Sequence, residues 1–376
     1  MRRFTPLTLF TLLLILAACS PAPATPELPD LEPGVWTMFE GGEDTACADG
    51  SDYTYYAYPG TANKVVIDFE GGGACWDGAT CSSPNSNPNP TIGRSFYKDK
   101  ADRAVLNAKR GIYDREKAEN PLKDWYHVFV PYCTGDLHIG GGEQTYTNPF
   151  DSTEFAIQHK GAANAQAVLN WTFASFKAPE SVFVTGCSAG AYGAAFWTDA
   201  IAEQYPDAEI YQLGDCGAGV STDAFSAELA QSWMTDVTFP GTTFDANFTP
   251  AAYISTLSGS GELKMAQYNS LFDNVQIGFY AFGTGREPAE VGAEWSGRML
   301  GSLQSVAGTS ENFTSYTSLA DDNANFADGT LHCILPRDDF YTLETDGVSF
   351  RDWLDGYVSG EEVGSVTATL GAPPSE

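Results

Sequence analysis

The sequence predicts an α/β protein with a mostly parallel central sheet and helices on both faces. Three observations support that class. Short β-branched runs alternate with longer runs of helical spacing, the pattern of linked βαβ units. The sharpest such unit is Ser181-Val-Phe-Val-Thr-Gly-Cys-Ser-Ala-Gly190, an apolar strand that stops at a Gly/Ser turn. Ala191-Tyr-Gly-Ala-Ala-Phe-Trp197 then opens a helix at once. The chain is also long enough for one large core, with 376 residues, of which 43% are hydrophobic and 13% aromatic.

Each element can be justified in turn. Val65-Val-Ile-Asp-Phe69 is a short buried-strand run that ends in Glu70-Gly71-Gly72-Gly73. His127-Val-Phe-Val-Pro131 is a second. Lys160 to Phe176 has helical spacing, with Ala163, Ala167, Val168, Trp171 and Ala174 on one side. Val182 to Thr185 is the strand before the Gly/Ser turn, and Ala191 to Gln204 the helix after it. Glu209 to Leu213 is the next strand and ends in Gly214-Asp-Cys-Gly217. Ala224 to Trp233 reads as helix, and Leu263 to Ser270 fits strand or helix equally by periodicity. Gln276 to Phe282 is β-rich, Ala289 to Val306 helical, and Phe350 to Val358 a last short helix. Residues 82–125 and Asp236 to Gly261 interrupt the alternation. Insertions at the carboxyl edge of a sheet often form lids and substrate walls. The acidic Asp321-Asp-Asn-Ala-Asn325 resembles a calcium loop but lacks its sixth-position Gly and twelfth-position Glu, and reads as plain loop.

The N-terminus reads as a targeting segment. Arg2 and Arg3 precede an apolar stretch, Phe4 to Leu16, too short to span a membrane. Leu16-Ala-Ala-Cys19 resembles the bacterial lipobox, in which the cysteine takes the lipid. Ser20 to Gly34, rich in Pro, Ala, Thr and acid, reads as an extended tether. The expected organisation is a signal peptide at 1–18, a Pro-rich tether at 19–34 and a single domain at 35–376. The expected location is the cell envelope, outer membrane or cell surface, with Cys19 as the only membrane attachment and the protein a monomer.

Nineteen basic against 49 acidic residues give a net charge of −30. Such a surface repels nucleic acid and anionic membrane faces, so neither is an expected partner. Eight cysteines, at 19, 47, 75, 81, 133, 187, 216 and 333, suit a compartment where disulfides persist. With Cys19 lipidated, seven remain and at least one is left over. There is no paired C-x-x-C, and the four histidines lie apart along the chain, which argues against a structural zinc site.

Gly186-Cys187-Ser188-Ala189-Gly190 fits G-x-S-x-G, and strand-turn-helix is the setting in which such a serine becomes a nucleophile. A hydroxyl needs a base, most often His, oriented by a carboxylate. In open α/β hydrolases the chain order is Ser, then acid, then His. His332 is the sole histidine downstream of Ser188, while Asp273, Asp321, Asp322 and Asp328 are among the acids between them. Asp273, at a possible strand end, is the preferred one. The N–H of Ala189 and the glycine run at 71–73 are candidate oxyanion donors, since a glycine backbone can approach a ligand closely. No Lys-Ser/Thr follows that run, which argues against a phosphate loop.

Several segments together resemble the pectin acetylesterase family, which includes the Notum-type carboxylesterases. They are Cys47-Ala-Asp-Gly-Ser51 with its tyrosine-rich strand, Phe69-Glu-Gly-Gly-Gly-Ala-Cys-Trp76 with Cys81, and Val130-Pro-Tyr-Cys133 with Asp136. Gly186-Cys-Ser-Ala-Gly190, Gly214-Asp-Cys-Gly217, Leu271-Phe-Asp-Asn-Val-Gln276 and His332 complete the set. The resemblance implies an α/β-hydrolase-like three-layer fold and a triad of Ser188, Asp273 and His332. It implies oxyanion donors on Gly72, Gly73 and Ala189, and disulfides Cys75–Cys81 and Cys47–Cys133. It leaves Cys187, Cys216 and Cys333 with no settled pairing. It implies a carboxylester hydrolase without metal or organic cofactor. The expected substrates are acetyl esters on carbohydrate or small esters. The alternatives are a lipid-type deacylase and an inactive glycan-binding lipoprotein. The chain departs from relatives at Gly73 and Ala74, where they often carry Trp, and at Cys216, where they carry Ser or Ala.

Overall fold

A computed structural model of the protein describes residues 28–82, 97–101, 103–259, 263–319 and 331–369. In chain order its strands are β1 (Thr37–Glu40), β2 (Thr54–Tyr58), β3 (Lys64–Phe69), β4 (Tyr126–Val130), β5 (Gly142–Thr147) and β6 (Glu154–His159). They continue with β7 (Ser181–Cys187), β8 (Glu209–Asp215), β9 (Lys264–Ser270), β10 (Phe313–Ser318), β11 (Glu344–Thr345) and β12 (Val348–Ser349). Eight of them form one sheet in the order β1-β2-β4-β3-β7-β8-β9-β10. From β4 to β10 every neighbouring pair is parallel, and β2 alone runs against the rest.

The two-residue period of a strand sends neighbours to opposite faces. Val65, Ile67, Val182 and Val184 accordingly enter one core, and Val66, Phe129 and Phe183 the other. The helices Gly161–Ser175, Ala189–Gln204 and Pro288–Ala307 cover the first face through Leu169, Ile201 and Trp295. The helix Phe350–Val358 covers the second through Phe350, Trp353 and Tyr357. Helix layer, sheet and helix layer make this an α/β-hydrolase-like fold. Leu31 is buried in the first core, so packing begins a few residues before the boundary expected at 35. The lipobox with Cys19 and the acidic run at Asp321 lie outside the described residues. Among the described residues no helix is long and apolar enough to cross a membrane.

The ambiguous run Leu263 to Ser270 contains strand β9, parallel to both β8 and β10. Gln276 to Phe282 is not β structure; it lies inside the helix Asn274–Thr284. Its β-branched and aromatic content is outweighed by local capping and packing. The Asp273 side chain accepts from the N–H groups of Val275 and Gln276 at the start, and Gly285 closes the end at φ +65°. Strand β10, Phe-Thr-Ser-Tyr-Thr-Ser, has no predicted counterpart because its serines and threonines mask it. All six residues are buried, and its free edge is covered by the segment around Val366, which exchanges two backbone bonds of 2.8 Å with Ser315 and Thr317. The interruption Asp236 to Gly261 carries its own helix, Phe248–Gly259.

Candidate active site

The candidate residues gather at the carboxyl edge of the parallel strands. This is where open α/β sheets place ligands. Ser188 follows β7, Asp273 follows β9 and the glycine run follows β3. Ser188 has φ +55° and ψ −119°, a region that a non-glycine residue occupies only under external constraint. Its N–H donates to the Asp215 carbonyl at 2.7 Å, and its own carbonyl accepts from Ala191 at 2.9 Å. The flanking glycines are required by close approach. A Cβ on Gly190 would stand 1.8 Å from the Phe69 carbonyl oxygen, and one on Gly186 2.3 Å from that of Gly190. The glycine run is pressed against the same turn, since a Cβ on Gly71 would meet the Cys187 carbonyl at 2.2 Å.

Asp273 is fully buried and its carboxylate is saturated with donors. Oδ2 accepts from His332 Nδ1 at 2.7 Å and from Gln276 Nε2 at 3.0 Å, and Oδ1 from the N–H groups of Val275 and Gln276 at 3.0 Å each. Burial pushes its pKa up, but the His332 charge and these hydrogen bonds outweigh burial and hold it below the usual carboxylate value. Gln276 is itself fixed, donating to Asn269 at 3.1 Å and accepting from Ala218 N–H at 2.9 Å.

The segment that carries His332 is tied down by a residue with no role in the sequence reading, Asp215. Its carboxylate accepts from Ile334 N–H at 3.0 Å and Leu335 N–H at 2.9 Å. Burial pushes it up to about 7, with those backbone donors opposing the shift. The available signal was its place at the end of the strand beside the nucleophile strand. Disulfides join Cys47 to Cys133, Cys75 to Cys81 and Cys187 to Cys333, and Cys216 is a buried free thiol. The other three histidines are engaged in the interior: His127 with Asp68 at 3.0 Å, His138 with the Glu70 carbonyl at 2.8 Å, and His159 with Tyr146 at 2.8 Å. Among the described residues three groupings of Cys, His and Asp lie close enough to share an ion, but each includes a sulfur already in a disulfide.

Ser188, His332, Ala189 and Gly73 line one cavity of about 80 Å³. Gly72 is not part of that lining; it packs on Tyr132 and Lys98. Gly73 has φ +82°, which glycine adopts without strain. The rest of the wall is dominated by large apolar side chains, among them Trp76, Tyr192, Phe225, Trp233, Phe248 and Phe279. They come from five separate stretches of chain, so no local pattern announces them. Asp321, Asp322 and Asp328 lie outside the described residues.

The model of the pectinacetylesterase family matches residues 37–252, more than half of the chain, and the chain belongs to that family. The matched span holds Ser188 and the glycine run, and ends before Asp273 and His332. Similar proteins include pectin acetylesterase 7 of Arabidopsis thaliana, 28% identical over 198 residues, 51% of this chain and 47% of that one. Palmitoleoyl-protein carboxylesterase NOTUM of Homo sapiens is 28% identical over 181 residues, 46% of this chain and 34% of its own length. The corresponding NOTUM of Schmidtea mediterranea is 30% identical over 106 residues, 27% and 19% of the two chains. The chain thus aligns with less than half the length of each of these relatives.

Proposed function

We propose that the protein is a serine carboxylester hydrolase in which Ser188, His332 and Asp273 form the triad. The observation that carries this reading is the 2.7 Å bond to a buried, ionised Asp273 from the Nδ1 of His332, which lines the same cavity as Ser188. That bond fixes the imidazole tautomer and leaves Nε2 as the basic nitrogen. Ser188 Oγ attacks the acyl carbonyl while His332 Nε2 takes its proton. The oxyanion is met by the backbone N–H groups of Ala189 and Gly73, which line the cavity, whereas Gly72 stands outside that lining. His332 returns the proton to the departing alcohol, and the acyl-serine is then hydrolysed by water activated in the same way.

Family membership supports esters of carbohydrate, with acetyl as the acyl group. A second reading, a longer acyl chain, is favoured by the aromatic lining. One enclosed water occupies roughly 10–15 Å³. About 80 Å³ therefore leaves apolar room beyond an acetyl methyl. A series of p-nitrophenyl esters from acetate to palmitate separates the two. Each buried CH₂ contributes about 0.8 kcal/mol, roughly fourfold in kcat/KM, until the cavity is full. A maximum at acetate supports the acetylesterase, and a climb over several carbons supports the longer acyl group. No hydrolysis of any member would remove the esterase reading.

Three disulfides support export to an oxidising compartment. Within this reading Cys19 is the lipid attachment point and the enzyme is a monomer on the cell envelope. Cys19→Ala is expected to move the protein from the membrane fraction to the soluble fraction after fractionation of expressing cells. An unchanged membrane fraction would contradict the anchor.

A further inference from the structure

The Cys187–Cys333 disulfide joins the residue immediately before Ser188 to the residue immediately after His332, across 146 positions of sequence. Neither of the other two disulfides involves a neighbour of a triad residue. The remaining ties of the His332 segment are non-covalent, and those to Asp215 reach the nucleophile turn only through the Ser188 N–H bond to the Asp215 carbonyl. Ile334 and Leu335 are bonded to Asp215 at the end of β8, and Cys333 N–H donates to Cys216 Sγ at 3.1 Å, again next to β8. His332 itself is bonded to Asp273, beyond the end of β9. The disulfide is therefore the covalent link from the base to the strand that presents the nucleophile. Cys333 has φ +64° and is buried, so the chain is held in an uncommon conformation at that link.

We propose that Cys187 and Cys333 are positioning residues for the reaction, setting the approach of the His332 ring to the Ser188 hydroxyl; this rests on the triad reading above. Proton transfer needs heavy atoms within roughly 2.6–3.2 Å. A misplacement of about 1 Å can cost on the order of a hundredfold in rate. A disulfide that only stabilises acts mainly on the unfolded chain and leaves the rate of folded molecules unchanged. The two roles are thus separable by experiment.

The test compares Cys187→Ser/Cys333→Ser with Cys47→Ser/Cys133→Ser, both assayed on p-nitrophenyl acetate well below their melting midpoints. The double change also leaves Cys216 without a nearby thiol; in wild type its sulfur, a His332 ring nitrogen and Cys333 Sγ lie within 4.8 Å of one another. The Cys187/Cys333 variant is expected to lose 10- to 100-fold in kcat with KM within about twofold. The Cys47/Cys133 variant is expected to melt lower yet keep wild-type kcat per folded molecule. A folded Cys187/Cys333 variant with kcat within twofold of wild type would overturn the proposal. If that variant fails to fold, partial reduction of the wild-type enzyme with dithiothreitol, followed by alkylation and peptide mapping, replaces it. Loss of activity is then expected to track alkylation of Cys187 and Cys333, and full activity with that pair alkylated overturns the proposal. Wild-type protein that neither hydrolyses the ester nor reacts with a fluorophosphonate overturns the triad reading itself, and this inference with it.

Discussion

Ser188→Ala is expected to reduce turnover of p-nitrophenyl esters by at least ~10⁴-fold while the protein melts within a few degrees of wild type. The size of the loss follows from what the hydroxyl does. It supplies the bond-forming atom, and the remaining backbone donors can only polarise a carbonyl that nothing attacks. The small effect on stability follows from the structure of the turn. Ser188 is held at φ +55° by its own backbone bonds to Asp215 and Ala191, neither of which uses the side chain. Alanine meets the same backbone strain as serine, so no new cost arises. Measuring kcat alongside a thermal melt checks both halves. Retained turnover in a folded Ser188→Ala protein would remove the serine from the chemistry.

Asp273→Asn is expected to be nearly as damaging, with kcat lower by roughly 10³- to 10⁴-fold. The carboxylate oxygen that accepts from His332 Nδ1 at 2.7 Å also accepts from Gln276 Nε2. An amide nitrogen at that place would face two donors. Flipped to avoid them, it would meet the N–H groups of Val275 and Gln276 instead. Either way a bond is lost, and in the first arrangement the amide nitrogen donates to Nδ1 and holds the imidazole in the tautomer that cannot accept the serine proton. The charge matters as well. Because the folded carboxyl is held below its usual value, its contribution to stability is complete above the unfolded carboxyl range. That contribution is lost only as pH falls through the lower, folded value. Asp273→Asn is therefore expected to cost stability near neutral pH, and its deficit against wild type is expected to shrink in strong acid. Urea midpoints measured for both proteins across the acid range check this sign. A deficit that grows on acidification would contradict an ionised Asp273.

How far this arrangement was legible depends on whether a feature is local. The turn at Ser188 could be read directly, because an apolar strand, two close-packed glycines and a small-residue helix lie within one short stretch. His332 followed from chain order alone. Asp273 did not, since acid and base meet only through the sheet: 59 residues separate them, and their bond is made across the ends of neighbouring segments. The helix after Asp273 was obscured for a related reason. Val275, Ile277, Phe279 and Tyr280 favour strand one by one, and only the cap and the buried face decide for helix. The three cysteines near the site were equivalent on paper. The structure separates them by placing Cys216 beside the Cys187–Cys333 bond rather than in it. The apolar cavity was not legible at all, because its aromatic walls converge from positions as far apart as 76 and 295.

The most direct measurement is covalent labelling with a fluorophosphonate, followed by peptide mass spectrometry to locate the adduct. A serine activated by the His332–Asp273 pair should give one adduct per chain, on Ser188, and the adduct should vanish in Ser188→Ala and slow sharply in Asp273→Asn. A folded protein that takes up no label, or takes it up on another residue, would contradict the triad.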